Sequence, residues 1–259
     1  MLHSSAGRAG YYGIESPAIP GVQSFIAIVM LQAGYTQVNG AGGGHVGGRG
    51  GGWWLILFGA VLLGIALAYL QASRRGRFRA WSGELAALEL RGDETVLDLG
   101  CARGAVTTLA AARVPQGSVV GVDIWARSGW LAGNRRGSDD QIAKNNAQAE
   151  GVADRVQFLA GDLDALASEG NHFDVVVSGG GIGRLGSADA RRTAIDEAVR
   201  VLKPGGRLVL ADVRNTRRFA EHLSELGCED LRSHSAGPAC WYGGPWLPLV
   251  FVTARKPSA

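Results

Sequence analysis

The sequence predicts an α/β domain, a doubly wound and mostly parallel sheet whose last strand runs antiparallel, preceded by one or two membrane-spanning helices. Three observations predict it. From residue 78 onward, short β-branched runs alternate with stretches of helical periodicity. Acidic residues recur at the ends of successive strand-like runs, at Asp98, Asp123 and Asp162. Upstream, residues 53–70 contain no charged residue, Pro, Asn or Gln.

An apolar fraction of 46% with 19% charged residues supplies enough burial for a packed core and excludes a wholly disordered chain. The formal charge is only +3, and no long basic run is interleaved with aromatics, so a nucleic-acid partner is not expected. Cys101, Cys228 and Cys240 are widely spaced and lack a neighbouring His at ligand spacing. Neither a disulfide framework nor a metal site is indicated; a reducing compartment fits, with each cysteine a packing residue.

Residues 1–52 are poor in charge and end in a Gly-rich tract, residues 40–52, which reads as a flexible connector. Residues 53–70 then read as a transmembrane helix, since such a run spans roughly 27 Å at about 1.5 Å per residue. Trp53, Trp54 and Tyr69 stand where interfacial aromatics belong. Arg74, Arg75, Arg77 and Arg79 follow, against only Arg8 and Arg49 before, so the positive-inside rule puts the C-terminal domain in the cytoplasm. A cleavable signal peptide is disfavoured by the position of the run and by the arginines in place of a small-residue cleavage site. A buried core helix is the competing reading. Residues 22–38 form a weaker apolar stretch interrupted by Gln23, Gln32 and Gln37. One span, with the N-terminus outside, and a two-span hairpin, with both termini cytoplasmic, both remain open. Residues 71–77 read as a basic juxtamembrane linker.

Beyond it, Trp81, Leu85 and Leu88 recur at helical spacing. Strands are expected at Thr95–Leu99, Ser118–Asp123, Val156–Ala160, 174–178 and 207–212. Ser138 and Gln141 form a candidate capping box for a helix stopped by Gly151. Ser187 caps a helix presenting Ile195, Val199 and Leu202, followed by the turn Pro204-Gly205-Gly206, and a helix over 216–226 stops at Gly227. Residues 248–254 are strand-like with no helix before them, which predicts half of a terminal antiparallel hairpin.

Ligands of open α/β sheets bind beyond the carboxyl ends of the strands. After the first strand comes the glycine-rich turn Gly100-Cys101-Ala102-Arg103-Gly104, which lets the chain reverse sharply and brings backbone amides toward a ligand. The carboxylate of Asp123 is suited to the two hydroxyls of a ribose, and that of Asp162 to an adenine amino group. Each acid alone is as readily a cap or turn former; three at successive strand ends favour ligand binding.

On these residues the chain, over roughly 78–257, resembles the class I S-adenosylmethionine (SAM) dependent methyltransferases. The first strand and turn, Val96 through Gly104, resemble that family's first motif. Val119-Val120-Gly121-Val122-Asp123 is similar to its ribose-binding strand end, and Ala160-Gly161-Asp162-Leu163 to its adenine-contacting turn. The tether upstream also resembles membrane-anchored bacterial members, which implies the inner membrane as location. The resemblance implies a seven-stranded sheet and a SAM cofactor. Gly100, Cys101, Ala102 and Gly104 would face its methionine end, Asp98 its amino group, Asp123 the ribose and Asp162 the adenine. Ile124 and Leu163 would pack on the adenine faces, with Ser178 beyond the fourth strand. Two features depart from the family. Ala102 replaces the usual Gly, which one methyl tolerates if the local φ is negative. The segment Gly179-Gly180-Gly181-Ile182-Gly183 lacks the bulkier side chains, often a His, found there in small-molecule members, and reads as a flexible loop or as one that admits substrate.

No general base stands out: His172 precedes the fourth strand, while His222 and His234 lie in a helix and near a late strand. Residues 126–137, with Trp130, Arg135 and Arg136, and the aromatic stretch Trp241 to Trp246 are candidates for selecting a small-molecule acceptor, a lipophilic one being a candidate near a bilayer. Two rival functions are a nicotinamide-dependent oxidoreductase, disfavoured because Gly100-x-x-x-Gly104 is not G-x-G-x-x-G, and a tethered SAM-binding module without transfer.

Overall fold

The computed structural model of the chain describes residues 8–14, 18–39, 49–125 and 139–258. Ser138 and the whole of the candidate loop 126–137 therefore lie outside the described residues, as do residues 40–48 of the Gly-rich tract. The chain divides into two compact units, one made of Gly13–Gly76 with Pro238–Pro248, the other of Arg77–Gly237, the chain from Leu249 on and the N-terminal residues up to Tyr12.

The larger unit holds one seven-stranded sheet. Its strands are β1 (Thr95–Leu99), β2 (Ser118–Asp123), β3 (Val156–Ala160), β4 (Phe173–Gly179), β5 (Leu202–Asp212), β6 (Glu229–Ser235) and β7 (Val250–Arg255), in the order β3-β2-β1-β4-β5-β7-β6. The first five run parallel; β7 pairs antiparallel with both β5 and β6. The central strands are apolar at consecutive positions because both faces are covered. On one face Leu97, Leu99, Val176, Leu208 and Leu210 pack beneath α6 (Ala188–Val201) and α7 (Thr216–Glu225). Toward the other face lie α3 (Arg77–Ala87), α4 (Ala105–Ala111) and α5 (Asp139–Ala149); there Trp81 of α3 meets Phe251 edge-on at 5.1 Å.

Local signals account for the ends. Ser187 Oγ accepts the Ala190 amide at 3.0 Å at the start of α6. His222, buried in α7, sits 2.7 Å from Asp196 and 3.2 Å from Glu225, so its role is to pin α7 to α6. Residues 8–12 run along α4 and α5. Arg8 pairs with Glu150 at 3.1 Å, and the Tyr12 hydroxyl lies 2.9 Å from Thr108 Oγ1 and donates to Glu150 at 3.2 Å. Burial pushes that phenol up to about 12. Asn146 accepts from the Tyr11 amide at 2.6 Å and donates back to the Tyr11 carbonyl at 3.1 Å.

The smaller unit contains α1 (Ala18–Asn39) and α2 (Arg49–Gln71), both long and apolar enough to cross a membrane by length and composition. They pack through small residues in steps of seven: Ala27 and Gly34 on α1, and Gly52, Gly59 and Ala66 on α2, are all buried. A side chain at Gly52 would press on the Gly34 carbonyl at 2.9 Å, and one at Gly59 on the Ala27 carbonyl at 3.0 Å. That close approach is why α2 starts at Arg49 instead of after Gly52: the last glycines of the tract are contact residues of a helix. The expected linker over 71–77 is likewise helical, because α2 continues through a π-helical turn, Ala72–Gly76, toward α3.

Candidate functional site

The turn after β1 is built on positive φ angles, at Gly100 (73°), Ala102 (49°) and Gly104 (75°). The sequence condition for tolerating Ala102, a negative φ, is therefore not met. An L-residue in this left-handed region costs roughly 1–2 kcal/mol, and two hydrogen bonds hold it there. The Ala102 amide donates to Asp123 Oδ2 at 2.8 Å, and its carbonyl accepts from Trp125 Nε1 at 2.9 Å.

Four amides of the turn, those of Gly100, Cys101, Ala102 and Gly104, are hydrogen-bonded within the fold. The amides of Gly100 and Cys101 both donate to the Val122 carbonyl, at 2.8 and 3.2 Å, and that of Gly104 to the Cys101 carbonyl at 2.8 Å. What the turn offers instead is acceptors. Asp98 is 1% exposed, and its Oδ2 accepts from Thr107 Oγ1 at 2.6 Å, while its buried Oδ1 has no hydrogen-bond partner among the described residues. Burial, helped by the nearby negative charge of Asp123, pushes this carboxyl up to about 7. A buried acceptor without a donor is costly. A ligand cation such as an ammonium group would supply the missing donor and charge, whereas a pyrophosphate would bring further negative charge beside this carboxyl.

The structure places the other candidates along the same carboxyl edge. Asp123 ends β2, and the Gly161 amide donates to its carbonyl at 3.1 Å, which joins the ends of β2 and β3. Asp162 is exposed, Leu163 buried, and Ile124 half-buried. Cys101 is buried, and burial raises its thiol well above the ordinary range, so it is a packing residue. Ser178 is also committed internally, its hydroxyl donating to the Leu99 carbonyl at 2.7 Å.

The bare Gly179–Gly183 segment forms a tight turn with a short 3-10 helix at Ile182–Arg184. Its glycines are demanded by proximity: a Cβ on Gly181 would overlap Gly100 and the Leu99 carbonyl, and one on Gly183 would overlap the Asp212 carboxylate. Sequence reasoning missed three residues here. Arg184 reaches the Gly100 carbonyl at 3.4 Å; Asp212 at the end of β5 accepts the Arg214 and Asn215 amides at 2.7 and 2.9 Å; Trp125 braces Ala102 and meets Phe158 edge-on at 6.3 Å. Position after a strand was the available signal for Asp212; for Arg184 and Trp125 there was none.

Residues 96–206 match the family described as "Methyltransferase domain". Among curated proteins, an arsenite methyltransferase of Halobacterium salinarum is 33% identical over 131 residues, covering 50% of this chain and 30% of that protein. A demethylmenaquinone methyltransferase of Symbiobacterium thermophilum is 32% identical over 141 residues, 54% of this chain and 51% of that one. The chain thus matches about a third to a half of the length of these relatives. Among solved structures, 1,6-didemethyltoxoflavin-N1-methyltransferase of Burkholderia thailandensis, with its substrate and S-adenosylhomocysteine bound, aligns at TM-score 0.52 and 22% identity over 70% of this chain and 78% of that one. A putative sarcosine dimethylglycine methyltransferase from Galdieria sulphuraria aligns at TM-score 0.53 and 16% identity, over 70% and 86%. The match over residues 96–206 and the shared sheet architecture make this domain similar to SAM-dependent methyltransferases.

Proposed function

We propose that the chain is a membrane-tethered methyltransferase that moves the methyl group of SAM to a small acceptor at the cytoplasmic face of a bilayer. The observation that carries the reading is the buried Oδ1 of Asp98, without a hydrogen-bond partner among the described residues, beside a turn in which the amides of Gly100, Cys101, Ala102 and Gly104 are bonded within the fold. In this reading Asp98 and the Gly100 turn hold the ammonium end of the cofactor, Asp123 the ribose hydroxyls, and Asp162 with Ile124 and Leu163 the adenine. The cofactor, when bound, supplies an already activated methyl on a sulfonium. The protein's contribution is then to hold the acceptor in line with it and exclude water, which accounts for much of such an acceleration.

The tether rests on an inverted packing pattern. Small residues fill the α1–α2 contact, while Phe25, Ile28, Trp53, Trp54, Phe58 and Val61 point outward, each more than half exposed. In water the large apolar groups belong inside; in lipid the small ones do, because close backbone approach drives association there. Residues 8–12 before α1 and the chain from Arg77 after α2 both belong to the larger unit, so a chain that leaves and returns favours the hairpin over a single span.

The test uses the full chain in lipid nanodiscs with methyl-labelled SAM and separate membrane and cytosolic extracts. Label in a lipid-soluble product supports a lipophilic acceptor, and label only in a water-soluble product refutes that part. Measurable SAM binding with no labelled product in either extract favours the non-catalytic module. Titration with NAD in place of SAM checks the oxidoreductase, which predicts NAD binding alone.

A further inference from the structure

The smaller unit has a second piece, Pro238–Pro248, the stretch of chain between β6 and β7. It is an ordered tip. A short 3-10 turn over Pro238–Cys240 leads into a bridge between Trp241 and Pro248, closed by the Tyr242 amide donating to the Leu247 carbonyl at 2.9 Å and the Leu247 amide to the Gly244 carbonyl at 3.1 Å. The tip is docked on α2. Tyr242, buried, meets Tyr69 edge-on at 5.4 Å, and the Gly243 backbone faces Ile65. Farther along, the Ala239 carbonyl lies so close to Gly76 that no side chain fits there, which accounts for the widened π-helical turn at that point. Despite this fixed frame the tip holds Trp246 outward at 67% exposure, its ring laid over Gly244, whose φ of 137° excludes ordinary residues.

The depth of these contacts is readable along α2. The apolar run ends at Leu70, so Ile65 lies about 7.5 Å inside it at 1.5 Å per residue. That matches the roughly 5–10 Å over which interfacial elements sink into the boundary between headgroups and acyl chains. Tyr69 and Trp246 are the residue types enriched at that boundary, and the exposed Arg74 and Arg75 follow one turn later at headgroup level.

We propose that the β6–β7 tip, residues 241–247, is a third membrane-contacting element, lying in the bilayer interface with the Trp246 indole at the headgroup–acyl boundary. This rests on the reading of α1 and α2 as spans. A lipid surface explains what another function of the tip does not, namely a rigid frame spent on keeping a large indole outside the protein. Both stems of the tip leave the sheet beside Asp212, since Val250 pairs with Asp212 and Ser235 with Val250.

The experiment places a nitroxide on the full chain in nanodiscs of phosphatidylcholine and phosphatidylglycerol. Trp246→Cys, Val61→Cys and Glu169→Cys are each made in a Cys228→Ser background, the remaining thiols Cys101 and Cys240 being buried. Collision with oxygen, which concentrates in lipid, is compared with collision by an aqueous nickel chelate. The oxygen-to-nickel ratio at position 246 should be several-fold that at 169 and below that at 61. A ratio at 246 equal to that at 169, with 61 in lipid, overturns the proposal and leaves the anchor standing; aqueous values at both 61 and 246 overturn both. Should Trp246→Cys fail to fold, native tryptophan quenching by lipids brominated near the headgroup replaces it. Trp246→Phe should then lower the quenched fraction, and an unchanged fraction overturns the proposal.

Discussion

The ionisation of Asp98 gives the sharpest test of the cofactor site. In the unliganded protein its carboxyl is pushed up to about 7 by burial, with one oxygen bonded to Thr107 and the other unpaired. Unfolded, it titrates near 3.9. Folding therefore takes up a proton between these limits, so the unliganded domain loses stability as pH rises from about 4 to about 7 and no further above that. An ammonium group prefers the carboxylate, so binding at lower pH must first expel the proton. The resulting penalty on affinity, a factor of one plus ten raised to (7 − pH), is about 33 at pH 5.5 and about 1.3 at pH 7.5, so the dissociation constant of SAM should fall about 25-fold between them. The window stops at 7.5 because α-amino groups begin to lose their own proton near 7.7–8.0. Isothermal titration in two buffers of different ionisation enthalpy reads both the affinity and the proton released, which should approach one per SAM at pH 5.5. S-adenosylhomocysteine, with the same amino end, should show the same slope. Asp98→Asn should abolish the slope, weaken binding at pH 7.5 and stabilise the unliganded domain there. A dissociation constant that is flat from pH 5.5 to 7.5, with no proton release, would refute the assignment of Asp98 to the ammonium group.

Two further outcomes follow from packing. Gly181→Ala leaves an allowed backbone, since φ is −61°, but drives a methyl into Gly100 and the Leu99 carbonyl. It should cost about 1–3 kcal/mol, lowering the melting temperature by about 2–4 °C per kcal/mol, and should weaken SAM binding as well; differential scanning fluorimetry and titration check both. Glu150→Gln removes the charge that Arg8 and the Tyr12 hydroxyl share. Proteolysis should then release residues 8–12 several-fold faster, with SAM affinity at pH 7.5 unchanged.

Much of the fold was legible in the sequence because its signals are local. β-branched runs mark strands buried on both faces, and Ser187, Gly151 and Gly227 mark the ends of helices through capping and turn preferences that need no distant partner. The acids at Asp98, Asp123 and Asp162 followed from where parallel strands end. The length of residues 53–70 likewise measures itself against a bilayer, whichever way the helix packs.

The features that the sequence left open depend on contacts between residues far apart in the chain. A composition of glycines at 179–183 reads as flexibility, yet here it records the backbones of two turns pressed together. Ala102 takes a left-handed conformation because Asp123 and Trp125 hold it there. The linker over 71–77 became helix where Gly76 meets Ala239, and residues 8–12 gained a fixed place through Asn146 and Glu150. By itself the sequence determined the order of elements, the acids at the strand ends and the places of the apolar helices, since hydrophobic period and turn chemistry act within a few residues. Tertiary structure alone decided which polar atoms were spent and which, like Asp98 Oδ1, were left waiting for a partner, because that depends on every neighbour the fold brings within hydrogen-bond reach.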